Sequence, residues 1–197
     1  MPKAQIISRS KQGLFCSLWG LLLVGLLHGA GLASEPVQTA GEREVKAAFL
    51  LNFMKFVTWP PGCFSETNAP FVIGVPDKDP QLEPLKTVVS GRTVAGRSVQ
   101  IQVLETPGQA GGVHVLWVGS RAGSEPSQWV RAVAGRPVLT VGESAGFAAS
   151  GGVITFVLQG DKMRFDIDMP AARRAGLGIS AQLQKLARKV RKLEQEN

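Results

Sequence analysis

The sequence predicts a single α/β domain with a mixed, mostly parallel sheet, helices on both faces, and a C-terminal β-hairpin followed by two helices. Helix-like and strand-like segments alternate along residues 42–193, which is typical of parallel strands joined by helices. Two alternating apolar runs, 151–158 and 162–168, flank Gly160 and Asp161, and this pattern predicts the hairpin. The sequence shows no internal repeat and no second domain.

The N-terminus has the three parts of a secretory signal peptide. A basic segment with Lys3, Arg9 and Lys11 precedes an apolar run over 14–27, and small residues lead to a processing site after Ala33. The run has 14 residues, fewer than the roughly 20 that cross a bilayer as a helix. We therefore expect cleavage and export from the cytoplasm, and a retained N-terminal anchor is the alternative.

Cleavage sets the domain plan and changes the charge. Residues 1–33 are the predicted signal peptide, 34–41 a flexible lead-in, 42–193 the α/β domain and 194–197 a tail. Removal of 1–33 lowers the net charge from +7 to +4 and leaves Cys63 as the single thiol, so no disulfide can form within the mature chain. The remaining charge is weak evidence for nucleic acid, which an exported protein seldom meets, and we expect no nucleic-acid partner.

Residues 42–57 give the clearest helical pattern. One face at helical spacing carries Val45, Ala48, Phe49, Asn52, Phe53 and Phe56. Four further apolar residues, Leu50, Leu51, Met54 and Val57, widen that face, so most of the helix is expected to be buried. Pro60 ends the segment because proline cannot continue a helix. Asn52 is the polar residue in the centre of this face, and an unpaired buried amide costs about 1–3 kcal/mol. It is therefore expected either to bond nearby backbone or to line a groove, and Trp59 either plugs the core or contacts a partner.

Shorter segments continue the alternation towards the hairpin. They are predicted strands at 71–75, 98–104, 113–118 and 137–141, and predicted helices at 80–89 and 124–134. The helix 124–134 has Ser124 in the N-cap position. In the strand 98–104 the residues expected to share a buried face are Val99, Ile101 and Val103.

Two helices are predicted after the hairpin. The first covers Pro170–Ala175, and the second covers Ile179–Leu193 with Ser180 as its N-cap. The second helix has an apolar stripe of Leu183, Leu186, Val190 and Leu193. Its basic residues lie opposite that stripe and are expected to be solvated, with membrane headgroups or an acidic partner as the alternatives.

Residue types that carry catalysis are sparse after residue 33. His114, the single histidine there, lies in an apolar strand, and no Gly-x-Ser-x-Gly motif supplies a nucleophile. One histidine and Cys63 are too few ligands for a zinc site. Asp166 and Asp168 share a strand face with Arg164, which indicates paired surface charges, and an acid–base or calcium pair is the alternative. We predict a protein that is not an enzyme and has no cofactor or metal.

The segment 44–60, EVKAAFLLNFMKFVTWP, resembles the opening signature of the YfiR family of small bacterial periplasmic proteins. It is the most specific match. Others follow in the order of the family at 71–75, 96–99, 113–118, 137–142, 151–156 and 175–183. The resemblance extends over about residues 42–190, nearly the whole predicted mature chain.

The resemblance implies a periplasmic regulator with a mixed α/β sheet that is not an enzyme and tends to dimerise. The member that names the family restrains an inner-membrane diguanylate cyclase, and an outer-membrane-associated lipoprotein sequesters it. That member relies on cysteine pairs, whereas this chain has Val72, Ile73 and Val113 in the strands where one pair is expected. Cys63 alone cannot replace the pair, so redox control of that kind is not expected.

Two functions remain open at this point. In the first, the chain is a regulatory or sensory protein, and the first helix and its exit contact an inner-membrane sensor or cyclase through Lys46, Asn52, Lys55 and Trp59. In the alternative, the chain is a periplasmic small-ligand binding protein with a pocket at the strand ends, near His114 and Asn52.

Overall fold

The computed structural model describes residues 40–120, 122 and 125–192, all of which lie within one compact unit. The helices of this part are α1 (Ala40–Phe53), α2 (Leu82–Val89), α3 (Pro126–Ala132), α4 (Ala145–Ala149), α5 (Met169–Arg174) and α6 (Ala181–Leu186). A 3₁₀ helix covers Pro107–Gly112. None of these helices is both long and apolar enough to cross a membrane. The predicted signal peptide, Ser124 and Leu193 lie outside the described residues.

The strands are β1 (Val57–Thr58), β2 (Phe71–Pro76), β3 (Thr93–Val94), β4 (Arg97–Leu104), β5 (Val115–Val118), β6 (Leu139–Gly142), β7 (Ile154–Gln159), β8 (Lys162–Asp168), β9 (Gly178–Ile179) and β10 (Lys189–Arg191). Eight of those in the described chain form one sheet in the order β10-β8-β7-β6-β5-β2-β4-β3, and β1 pairs with β9 separately. The five strands from β7 to β4 in that order are parallel to one another. The predicted α/β fold with a mixed, mostly parallel sheet is confirmed.

The hairpin forms as predicted. Strands β7 and β8 pair antiparallel, with Gln159 opposite Lys162, so that only two residues make the turn. The first of them, Gly160, has φ +58°. Glycine adopts this left-handed conformation without the steric penalty that a Cβ atom would add, which is why the turn closes here.

The sheet buries apolar side chains on both of its faces. In β5, Val115 and Trp117 point into the core that α1, α2, α5 and α6 cover. Leu116 and Val118 point into the core that α3, α4 and the 3₁₀ helix cover. Alternation along a strand sends successive side chains to opposite faces, so a strand buried on both sides is apolar throughout. Strand β4 lies nearer the edge, and its Val103, predicted to be buried, is exposed.

The centre of the predicted buried face of α1 is displaced by about one residue, or about 100° of rotation, although Leu50, Phe53 and Met54 are buried as predicted. The buried residues are Lys46, Ala47, Leu50, Phe53 and Met54. Asn52, predicted at the centre of the buried face, is exposed. The helix is apolar on most of its surface, so periodicity alone did not fix its orientation. The deciding residue is a buried lysine, a type that is almost never buried without a charged partner.

The last predicted helix is wrong in its extent. Ser180 caps α6 as predicted, with its hydroxyl accepting from the Leu183 amide at 3.2 Å, but α6 ends at Leu186. The chain then forms β10, a strand parallel to β8. Arg188 holds Asp166 through two hydrogen bonds of 2.9 and 2.5 Å, and Arg191 pairs with Asp168. These charge pairs and the backbone ladder with β8 replace the predicted amphipathic helix.

Candidate functional site

The order of the central parallel strands reverses between β2 and β5, which are neighbours in the sheet. In doubly wound α/β folds, ligands bind at the carboxyl ends of the strands at such a reversal. The described residues at this position form a buried polar cluster. It includes Asp79 from the turn after β2, Trp117 from β5 and Glu143 directly after β6.

Asp79 is the most deeply enclosed acid of this cluster, with only 4% of its surface exposed. Its Oδ1 accepts hydrogen bonds from the Trp117 indole at 3.1 Å and from the Gln81 backbone amide at 2.8 Å. Its Oδ2 is buried and has no hydrogen-bond partner among the described residues. Burial raises the pKa of the Asp79 carboxyl, against the lowering effect of these two donors. Gly119 leaves the room for this side chain, because a Cβ there would lie 2.3 Å from Oδ2.

Lys46 provides the positive charge of the cluster. Its Nζ lies 2.5 Å from Glu143 Oε2 and 2.8 Å from Glu42 Oε1, and its side chain is almost fully buried. The other oxygen of Glu143 accepts from the Ser120 amide at 3.0 Å. A buried ammonium is costly unless it is paired, and these two carboxylates supply the pairing.

Gln81 ties the same edge of the sheet to the start of α1. Its Nε2 donates to the Arg43 carbonyl at 2.6 Å, while its Oε1 is buried without a hydrogen-bond partner in the described chain. Together with the Lys46–Glu143 ion pair, this bond fixes α1 against the carboxyl ends of the strands. The arrangement is suited to holding a helix in place. In the part of the chain that the structure describes, no group of three or more His, Cys, Asp and Glu side chains could hold a metal ion.

His114 lies at the opposite edge, just before β5. Its Nδ1 accepts from the Val72 amide at 3.1 Å, and its ring stacks on Phe64 with centroids 4.5 Å apart. Burial lowers the pKa of His114, against a hydrogen bond to the Cys63 backbone that raises it. The imidazole is therefore neutral and engaged on both sides, as a structural residue would be.

A cavity of about 370 Å³ opens beside His114 at the amino ends of β2, β5 and β6. Cys63 and Arg136 also line it, and the Arg136 Nη1 donates to the Gly111 carbonyl at 3.0 Å. Burial raises the pKa of the Cys63 thiol, although the nearby Arg97 lowers it. A raised thiol pKa keeps Cys63 protonated and makes it a poor nucleophile.

Trp59 lies on the same side of the domain, next to the loop that carries Cys63. Its ring meets Phe71 edge to face at 5.0 Å, and its Nε1 is buried without a hydrogen-bond partner among the described residues. Arg97 closes this loop: its guanidinium lies 3.9 Å from the Phe64 ring centroid and donates to the Ala69 carbonyl at 2.7 Å. Trp59 is therefore half-buried and packed, with part of its surface left accessible.

The five residues predicted from the sequence as binding residues do not form one site. Lys46 is buried at the carboxyl edge, and His114 lies at the amino edge. Asn52 and Lys55 are exposed on α1 and the turn after it, where the Lys55 Nζ bonds the Asn52 Oδ1 at 3.2 Å. Only these two of the five are fully exposed, and the half-buried Trp59 follows them in the chain.

Asp79, Gln81 and Glu143, which build the buried cluster with Lys46, were not among the residues predicted from the sequence. A signal for two of them was present. Asp79 and Glu143 follow the apolar strands β2 and β6 within three residues. The carboxyl ends of parallel strands meet at one edge, so acids at these positions converge in the fold.

The sequence profile of the YfiR/HmsC-like family matches residues 43–188, which include most of α1, the Asp79, Trp117 and Glu143 positions and strands β1 to β9. The chain belongs to this family. At family level, YfiR/HmsC-like proteins are periplasmic regulators of cyclic di-GMP signalling, and they are regulatory rather than catalytic.

Solved structures with a similar fold are distant in sequence from this YfiR/HmsC-like chain. A conserved domain protein of Vibrio cholerae superimposes with a TM-score of 0.51 at 11% identity, covering 76% of this chain and 60% of that one. The ABC domain of Streptococcus pneumonia in complex with L-Trp gives a TM-score of 0.47 at 14% identity, with coverages of 61% and 56%. The chain thus spans about three fifths of the Vibrio protein, and the likeness concerns the fold.

Proposed function

We propose that this chain is a non-enzymatic periplasmic regulator that represses an inner-membrane diguanylate cyclase by binding the periplasmic domain of that enzyme. The observation that supports it is the outer face of α1, defined by Val45, Ala48, Phe49 and Asn52 of the helix together with Phe56 from the turn after it. Val45 is 44% exposed, Ala48 and Asn52 are exposed, and the two phenylalanines are half-buried.

This outer face has the character of a contact surface. This apolar stripe is partly exposed, because Val45 and Ala48 are open to water while Phe49 and Phe56 also pack against the core. A partner that removes its exposed part from water gains free energy. Lys55, bonded to Asn52 at one end of the stripe, adds an exposed charge that can steer a partner. The face is also held rigidly, since the Lys46–Glu143 pair and the Gln81 bond fix the start of α1 to the sheet.

Substitutions on the outer face test the proposal. Ala48→Arg and Asn52→Arg place a long charged side chain on the stripe without touching the core, because both residues are exposed. In a strain that lacks the native copy, each variant is expected to repress cyclic di-GMP at least about tenfold less well than the parent chain, the effect of losing about 1.4 kcal/mol of binding.

The matched control is Gln128→Arg, an exposed residue of α3 on the other side of the sheet. It should repress as the parent does, and all variants should keep the parent's melting temperature. Full repression by both α1 variants would remove the outer face from the mechanism. If deletion of the chain leaves the cyclic di-GMP level unchanged, the proposed function itself is contradicted.

Two further partners are proposed with the same regulator. An outer-membrane-associated lipoprotein would sequester it, and a second copy of the chain would form a homodimer. Both would have to use surface that the domain leaves open, and the outer face of α1 is one such surface. Light scattering with the parent and the Ala48→Arg variant tests self-association through this face. A variant that assembles as the parent does would place any dimer contact elsewhere.

Binding of a small ligand is the second candidate function, supported by the 370 Å³ cavity beside His114. A cavity of this size matches common ligand pockets, and Arg136 gives it one charged lining residue. Asn52, the other residue expected there, is not part of the lining. A thermal-shift screen of small carboxylates tests it: a rise in melting temperature that Arg136→Gln abolishes supports the pocket. No rise with any compound argues against it.

A further inference from the structure

The positive charge of the chain is concentrated at its C-terminal end. Residues 158–197 contain nine basic and five acidic residues, whereas residues 34–157 contain ten of each. The whole excess of +4 therefore lies within the segment that begins at the end of β7. Solubility is obtained with charges of both signs spread over the surface, so it does not require such an asymmetry. Positive charge concentrated at one end of the chain therefore indicates a negatively charged partner.

Part of this charge is neutralised within the fold. Arg188 pairs with Asp166, and Arg191 pairs with Asp168, which also caps α5. Other bases of the segment are exposed and form no ion pair with the described residues, among them Lys162, Lys185 and Lys189. These lysines are available to a partner.

Two exposed leucines accompany the free lysines. Leu158 is 53% exposed and Leu186 is 59% exposed, the highest values for large apolar residues in the described chain. The hairpin register places Leu158 opposite Met163, and next to it Gln159 lies opposite Lys162. Leu186 directly follows Lys185 in the chain. Lys185 is thus adjacent to Leu186 in the chain, and Lys162 lies one register position from Leu158, on the opposite face of the hairpin tip.

The two leucine–lysine pairs lie at the same end of the sheet. The Arg188 amide donates to the Phe165 carbonyl at 2.9 Å, which puts the end of α6 beside the first residues of β8. Leu186 is two residues before Arg188, and Met163 is two residues before Phe165. Met163 packs against the core. It therefore lies between the two exposed leucines.

We propose that this end of the sheet, with Leu158 and Lys162 at the hairpin tip and Lys185 and Leu186 at the end of α6, is a docking surface for anionic phospholipid. The ammonium groups would lie at the headgroup phosphates, and the two leucines would enter the boundary with the acyl chains. Each leucine is an isolated exposed side chain, one at the end of the hairpin and one at the end of a helix. A bilayer surface is deformable and can accommodate isolated side chains of this kind. Lysine is a point charge on a flexible stem and needs no fixed receptor geometry. Docking of this kind would concentrate the chain at the membrane without a spanning helix.

Sedimentation with lipid vesicles tests the docking surface. The probe is a vesicle of phosphatidylcholine with an increasing fraction of phosphatidylglycerol, and the protein is the secreted chain, with loss of residues 1–33 verified by its mass. Binding should rise with the phosphatidylglycerol fraction and fall with added salt, because the headgroup attraction is screened. Lys162→Gln with Lys185→Gln should weaken binding about 25-fold, or about fivefold per lysine. Leu158→Ser with Leu186→Ser should weaken it by at least about tenfold.

The matched controls are Lys78→Gln and Val103→Ser, which remove an exposed lysine and an exposed apolar side chain elsewhere. Both should bind vesicles as the parent does. Equal binding to pure phosphatidylcholine, no binding at all, or binding unchanged in the two double variants would overturn the proposal. Loss of cyclase repression in the double variants without any vesicle binding would also overturn it, in favour of an acidic protein partner.

Discussion

The indole N–H of Trp117 donates to the carboxyl of Asp79 at 3.1 Å, and both side chains are almost fully buried at the carboxyl end of the central strands. The same oxygen also accepts from the Gln81 amide, while the second oxygen has no hydrogen-bond partner among the described residues. A buried acceptor without a donor is costly. Protonation of the carboxyl removes the buried charge, so burial raises the pKa of Asp79.

The Asp79 carboxyl should make the fold less stable as pH rises. Burial raises its pKa above the ordinary value of about 3.9, and the charge of Glu143 raises it further against the opposing charge of Lys46. The stability it contributes is fully present below about pH 3.9 and is lost as pH rises through the raised pKa. Asp79→Asn keeps an acceptor for Trp117 and cannot ionise. Urea unfolding over a pH series should show that this variant loses less unfolding free energy than the parent as pH rises. Parallel curves of unfolding free energy against pH for variant and parent would contradict the assignment.

Removal of the buried ammonium should be among the most destabilising single changes in α1. Lys46→Ala deprives the buried Glu143 carboxylate of its 2.5 Å ion pair, and loss of one partner of such a pair costs about 3–5 kcal/mol. Lys46→Met with Glu143→Gln removes both charges and should recover much of that loss. Denaturant unfolding of the single and double variants gives the coupling. A single variant within about 1 kcal/mol of the parent would show that the pair contributes little.

The orientation of α1 shows where sequence reasoning succeeds and where it stops. The helix itself follows from its apolar spacing, but it ends at Phe53, before β1, and not at the predicted stop before Pro60. Its rotation depends on Lys46, whose burial requires Glu143, a residue 97 positions away in the chain. Rules for single residues place a lysine outside, and this rule fails for Lys46, while the other buried residues of α1 are apolar as expected. A contact between residues so far apart in the chain forms only when the sheet is assembled. A pattern of neighbouring residues therefore cannot predict it.

The C-terminal end illustrates the same limit in a different way. The spacing of Leu183, Leu186 and Val190 is helical, yet Lys189–Arg191 forms β10. The outer edge of β8 offers a row of backbone hydrogen-bonding groups, and Asp166 and Asp168 beside that edge attract two arginines. A free strand edge is a strong template for pairing. The alternation of helices and strands and the hairpin turn were predictable, because each rests on residues close together in the chain.

His114 should make the fold sensitive to acid, the opposite direction from Asp79. Burial lowers its pKa, so the stability that the neutral imidazole contributes is present above about pH 6.5 and is lost as pH falls through the lowered pKa. The charged group that faces His114 is Arg97, and the rings that pack against His114 are Phe64 and Phe71. His114→Asn can still accept from the Val72 amide but does not titrate. Its unfolding free energy should fall less than that of the parent between pH 7 and about pH 5, and an unchanged acid slope would contradict this role.

Gly152 should not tolerate a side chain, because the Phe147 ring fills the space beside it. A Cβ on Gly152 would lie 2.1 Å from the fully buried Phe147 ring, which α4 and the neighbouring strands hold in place. Gly152→Ala should therefore destabilise the domain by about 1–3 kcal/mol, the usual cost of overpacking a core. The control is Gly41→Ala in α1, where the added Cβ meets no atom within 4 Å and stability should be unchanged or slightly higher. Thermal unfolding compares the two, and combining Gly152→Ala with Phe147→Leu should recover part of the loss, since the smaller side chain vacates the space.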